Sequence, residues 1–184
     1  MRSKSIFAQF VAPTRSRRWA AVCLALYMLG LGLSATAQDD RRATIITCDV
    51  PGASQVTQAF GINPAGTIPG VYFDSNGVNH GYVRNKQGAI TTFDVPAAGT
   101  GAFQGTLPES INPSGAITGQ YLDASGVNHG FLRDKHGVIT TFDARGAGTG
   151  AGQGTFPRTN NPSDAITGYY MDANSAFHGF LRIP

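Results

Sequence analysis

Residues 90–94, Ile90-Thr91-Thr92-Phe93-Asp94, return unchanged 49 positions later as Ile139-Thr140-Thr141-Phe142-Asp143, and Ile46-Thr47-Cys48-Asp49 is a weaker copy upstream. Two further motifs keep the same step. Asn63-Pro64-Ala65-Gly66 recurs as Asn112-Pro113-Ser114-Gly115 and Asn161-Pro162-Ser163-Asp164. Asn79-His80-Gly81-Tyr82 recurs as Asn128-His129-Gly130-Phe131 and Phe177-His178-Gly179-Phe180. Several motifs held in one register at one period define an internal repeat, and the repeat decides the fold.

Within a unit the punctuation is regular. Turns end at Gly66, Gly77 and Gly88, and again at Gly115, Gly126 and Gly137, 11 residues apart. Asn-Pro-x-Gly, Asp-x-(Asn/Ser)-Gly and (Asn/Asp)-Lys-x-Gly are turn sequences: Asn or Asp caps the first position, Pro presets φ, and Gly accepts positive φ. Between them lie short runs rich in Ile, Val, Thr, Tyr and Phe, the composition of strands. No 3.6-residue apolar period persists for a helix. The spacing predicts four strands per unit, a to d, at about 59–62, 67–73, 78–84 and 89–95 in the first. The connections 96–110 and 144–159, rich in Gly, Ala and Thr, read as crossings between units.

The chain is therefore expected to be all-β: a single domain at 38–184 of three four-stranded antiparallel units, about 51–95, 96–144 and 145–184 plus 44–50. In that scheme the opening d strand, 44–50, closes the last unit by pairing with its c strand, 176–182, so that no sheet edge stays bare. Blades interlocked in this way seal propellers, although those typically have 4–8 blades. Three arrangements fit: a closed ring of three blades, two chains sharing a six-bladed ring, and a β-trefoil or β-prism.

The His-Gly-(Tyr/Phe) core, the Thr-Thr-Phe-Asp-Val-Pro strand at 91–96 and the Asn-Pro-x-Gly turn resemble the bacterial extracellular repeats of the HAF family, over residues 44–184. The eponymous motif of that family is His-Ala-Phe, from which Gly81, Gly130 and Gly179 depart; the exchange is expected to matter little within a strand. The resemblance implies an exported, propeller-like repeat protein and brings no catalytic residues.

Export is also read from the residues themselves. Arg2, Lys4, Arg15, Arg17 and Arg18 precede an apolar run at 19–33, and Ala35-Thr36-Ala37 follows. A basic start, a short apolar core and an A-x-A exit predict a secretory signal peptide at 1–37, cleaved after Ala37. The product is then secreted or periplasmic. Cleavage leaves nine Lys and Arg against eleven Asp and Glu, a net charge of −2. With no basic cluster, the 147-residue product lacks the electrostatic footprint of a nucleic-acid or anionic-membrane binder. Only Cys48 remains of the two cysteines, a free thiol rather than half of an intrachain disulfide.

Candidate sites are few. His80, His129 and His178 share one repeat position and would suit zinc if they converged. A four-residue turn between strands c and d would instead set His80 opposite Phe93, His129 opposite Phe142 and, on closure, His178 opposite Cys48, as ordinary cross-strand contacts. Arg84, Arg133 and Arg182 are placed to pair with Asp49, Asp94 and Asp143. The Asp74, Asp123 and Asp172 loops lack the further acidic ligands of a calcium site. The long loops gather Phe103, Gln104, Glu109, Arg145, Gln153, Phe156 and Arg158, and such loops are where binding residues concentrate. No metal or organic cofactor is implied.

Two function classes follow. The first is a non-catalytic exported module that binds a protein or glycan, or associates with itself, for example as a homodimer completing a six-bladed ring. The second is an exported hydrolase or lyase, for which Cys48, Glu109, His136, Arg145 and Arg158 are the available reactive side chains.

Overall fold

Each unit is punctuated by turns that fix its register. In the first, Asp74 Oδ1 accepts from the backbone N–H of Asn76 and Val78 at 2.8 and 2.9 Å, and Gly77 N–H donates to the Asp74 carbonyl. Asn63 and Asn85 cap their turns the same way. The side-chain oxygen satisfies amides that the turn would otherwise leave unpaired, which is why Asx residues open these loops. Each such turn joins two antiparallel strands.

The computed structural model describes residues 43–54 and 56–184, and 46–184 form one unit. The signal peptide expected at 1–37 lies outside the described residues. The first meander comprises β1 (Thr57–Ala59), β2 (Ile68–Phe73), β3 (Asn79–Arg84) and β4 (Ile90–Phe93). The second is β5 (Gly105–Ile111), β6 (Ile117–Leu122), β7 (Asn128–Arg133) and β8 (Ile139–Phe142). The third has β9 (Gly154–Asn160), β10 (Ile166–Met171) and β11 (Phe177–Arg182). No helix is present among the described residues.

Pairing is antiparallel within each meander, and Gly70↔Tyr82, Gly119↔Phe131 and Gly168↔Phe180 show one register recurring. Short parallel contacts, Asn79↔Gly105 and Asn128↔Gly154, link the meanders into one open, mixed eleven-stranded sheet. At these links the backbones nearly touch. Gly105 has φ 110°, and a Cβ there would collide with the Asn79 carbonyl. Asn79 Nδ2 and N–H both donate to the Gln104 carbonyl, at 2.9 and 2.8 Å, and Asn128 does the same to Gln153. Side-chain amides continue the link elsewhere: Asn63 donates to the Asn112 carbonyl and Asn112 to that of Asn161.

The core sits where meanders meet. Val95, Ile117, Tyr121 and Phe131 form its buried cluster, with Phe93 and Ile111 against it. Phe93 faces Gly81 in register and meets Phe131 of the next meander edge-on at 6.1 Å. Phe142 repeats this between Gly130 and Phe180. Each d strand thus supplies an aromatic wedge between its own glycine and the following unit's ring. A Cβ at Gly81 or Gly130 would come within 2.8 or 2.7 Å of that wedge, so alanine is not the small change expected there.

Three expectations are corrected. First, residues 43–50 form no strand, and among the described residues β11 pairs with β10 alone, so 44–50 does not close the third unit. Val50 N–H instead approaches Thr57 Oγ1, as Val95 approaches Thr106 and Ala144 approaches Thr155. The opening segment therefore takes the place of a d strand preceding the first unit. Second, the crossings are shorter than read, because β5 and β9 lie inside them. Pro108 and Pro157, which cannot donate to a ladder, made the first halves of those strands read as connection; they sit beside register shifts that absorb the missing N–H. Third, the c–d register differs by one residue. Asn85 N–H donates to the Ala89 carbonyl and Gly88 takes φ 95°, a three-residue loop with a left-handed last position, so Gly81 rather than His80 opposes Phe93.

Candidate functional site

The repeated histidines lie in separate clusters, each within its own meander. His80 Nδ1 lies 2.9 Å from Asp94, its Nε2 lies 3.7 Å from Asp74, and its ring stacks on Tyr72 at 5.1 Å. His129 repeats this with Asp143, Asp123 and Tyr121. Such a cluster ties strand d to strand c and to the b–c turn. His178 keeps Tyr170 and Asp172 but has no d-strand aspartate. Among the described residues no three metal-binding side chains converge.

The arginines do not pair with Asp94 and Asp143, as the sequence suggested, because histidine occupies those carboxylates. Arg133 instead lies over the Phe93 ring at 4.9 Å and Arg182 over Phe142 at 5.0 Å, where the cation meets the negative face of the ring. Burial lowers the Arg133 pKa from its ordinary value.

The seven loop residues do not form one surface. Gln104 and Gln153 are structural: Gln104 Oε1 accepts from Gly101 N–H and its amide donates to the Ala124 carbonyl, with Gln153 doing likewise to Gly150 and Ala173. Phe103 is exposed and edge-on to Phe73. Arg145 borders a groove of about 390 Å³ between β8 and the third meander, lined also by Asp143, Tyr170 and Phe180. Glu109, Phe156 and Arg158 come together.

That last group breaks the repeat symmetry. Arg158 Nη1 donates to Glu109 at 2.8 Å and Nη2 to the Tyr169 hydroxyl at 3.0 Å. Burial pushes the Glu109 carboxyl up, and Arg158 partly opposes it. Phe156 stacks on Tyr169 at 4.8 Å, and Phe177 meets Tyr169 edge-on at 5.5 Å. The result is an aromatic column across β9, β10 and β11. Its equivalents in strands b and c of the earlier meanders, Val71 with Asn79 and Gln120 with Asn128, are buried. Phe177 is 64% exposed. Sequence reading missed Tyr169 and Phe177; aligning the units shows both as aromatic replacements in the last copy.

The five reactive side chains considered for hydrolysis do not assemble. Cys48 Sγ contacts the Ile46 carbonyl, and Cys48 and Asp49 lie near enough to Tyr82 to reinforce the rise that burial imposes on its hydroxyl pKa. His136 sits in a turn with its N–H on Asp134. Glu109 and Arg158 hold each other, and no nucleophile–base pair forms among the five. No protein-family model, curated protein or solved structure matches the chain.

Proposed function

We propose that the chain is an exported, non-catalytic repeat module of propeller-like blades, related to HAF repeats, that works by binding a protein or glycan or by associating with itself. The observation that carries this is the aromatic column Phe156–Tyr169–Phe177, left open at one end of the array while the counterparts of Tyr169 and Phe177 in the earlier meanders are buried. A rimmed apolar face of this kind marks an interaction site on a folded domain. The polar side chains support the reading too. His80, His129, Gln104 and Gln153 are engaged in contacts that hold strands and loops together.

Glycan arrays, pull-downs and solution mass of the purified protein test the reading, with Tyr169→Ser/Phe177→Ser as the comparison. At least one form of binding is expected, weakened tenfold or more in the double variant. Absence of any ligand and of self-association, or binding indifferent to both substitutions, would overturn it.

A further inference from the structure

The two ends of the array carry complementary halves of one junction. At the internal junctions, a d strand pairs with strand c of its own meander and wedges an aromatic against strand c of the next. Among the described residues strand β11 has no such partner, and at Gly179 a Cβ would meet nothing nearer than 4.0 Å. At the other end, residues 46–50 occupy the position of a d strand but pair with no strand among the described residues; Ile46 is exposed.

We infer that the β11 edge and the aromatic face beside it dock residues 46–50 and the first meander of a second copy, head to tail. This rests on the reading of the chain as a binding module and names the partner of that same face. The register follows from Gly81↔Phe93 and Gly130↔Phe142: Cys48 of one copy opposes Gly179 of the other, and Asp49 reaches His178. Among the described residues Asp49 meets no histidine, and His178, which keeps Asp172, lacks the d-strand aspartate that His80 and His129 each possess, so the two ends meet each other's need. The link itself differs: internal ones pair Asn79 with Gly105 and Asn128 with Gly154, so closely that no Cβ fits at the glycine, whereas the ends carry Phe177 and Val56, so the new junction rests on the d-strand ladder and the aromatic face rather than on this backbone contact. Two such junctions in a dimer close a ring of six meanders, every one with four strands. A head-to-tail contact that closes in this way leaves no edge free.

The native thiol is the reporter. Gly179→Cys places a second thiol in open space, where directly opposed antiparallel residues have the Cα separation a disulfide needs. The purified protein is expected to sediment as a dimer at tens of micromolar. Oxidised Gly179→Cys should give a covalent dimer whose linked peptides contain Cys48 and residue 179, while Leu181→Cys should link at least fivefold less. Ile46→Pro/Thr47→Pro removes donors from an exposed segment outside every strand, so it should fold normally by circular dichroism and lose the dimer. A monomer at all concentrations, a disulfide joining Cys48 to residue 179 within a single chain, or a dimer that survives the prolines would overturn the inference. If glycan or protein binding persists in that case, the binding-module reading stands; if it is absent as well, both fall.

Discussion

Phe142 lies directly across the β7–β8 ladder from Gly130, so close that a Cβ on residue 130 would sit 2.7 Å from its ring. The glycine is a seat for the wedge that joins two meanders. At the equivalent Gly179 no ring is present.

These two glycines give a matched comparison. Gly130→Ala forces the Phe142 ring away from Phe180 and is expected to cost about 1–3 kcal/mol, the usual penalty of overpacking a filled site. Gly179→Ala meets open space and is expected to stay within about 0.5 kcal/mol of the parent, as surface substitutions do. Urea denaturation at a concentration favouring monomer measures both; equal losses would show that the wedge does not set the requirement for glycine.

Acid sensitivity should arise in the turns. Backbone hydrogen bonding from Val138 holds the Asp134 pKa below its ordinary value; burial opposes it, and the His136 amide adds to the lowering. Val78 and Ala176 act likewise on Asp74 and Asp172. With the folded pKa below the unfolded one, the stabilisation is complete above the unfolded value, near pH ~4. It is lost as the pH falls through the folded value. The first unit already carries Asn85 at this place, capping with the same two amide bonds. Asp134→Asn is therefore expected to match the parent at pH 7 and to lose stability less steeply between pH ~4 and ~2 in urea titrations. An unchanged slope would remove Asp134 as a source of acid lability.

Two turns of the third meander place non-glycine residues in the left-handed region, Ser175 at φ 64° and Asp164 at φ 59°. Ser175→Gly relieves that conformation and is expected to raise stability by about 0.5–1 kcal/mol. Asp164→Gly should gain less, because Asp164 Oδ1 accepts a 2.8 Å bond from the buried Asn112 amide. Thermal melting of the two variants decides it: a larger gain at 164 than at 175 would contradict the role given to that bond.

The all-β class and the 49-residue step were readable in the residues because the turn chemistry is local and repeats. Asn63, Asp74 and Asn85 announce their turns, and the structure uses each as the spacing implied. What could not be read was whatever depends on distant neighbours. Strands β5 and β9 begin earlier than the spacing implied, because Pro108 and Pro157 look like loop residues until a bulge is seen opposite them. The off-by-one pairing of strands c and d came from a turn one residue shorter than expected, and a single-residue slip moved the partner of Phe93 from His80 to Gly81. The grouping of Glu109 with Arg158 was half visible, since both lie at one repeat position, but Tyr169 and Phe177 entered only when their buried counterparts in other units were known.

The wedge joints have a consequence for how such a chain can change. Each joint is specified by what one module offers to its successor, so a whole module can be duplicated or deleted in frame with both outer surfaces preserved. Array length, and with it the number of modules around any closed assembly, is then a quantity that evolution or an engineer can vary with the wedge joints left as they are.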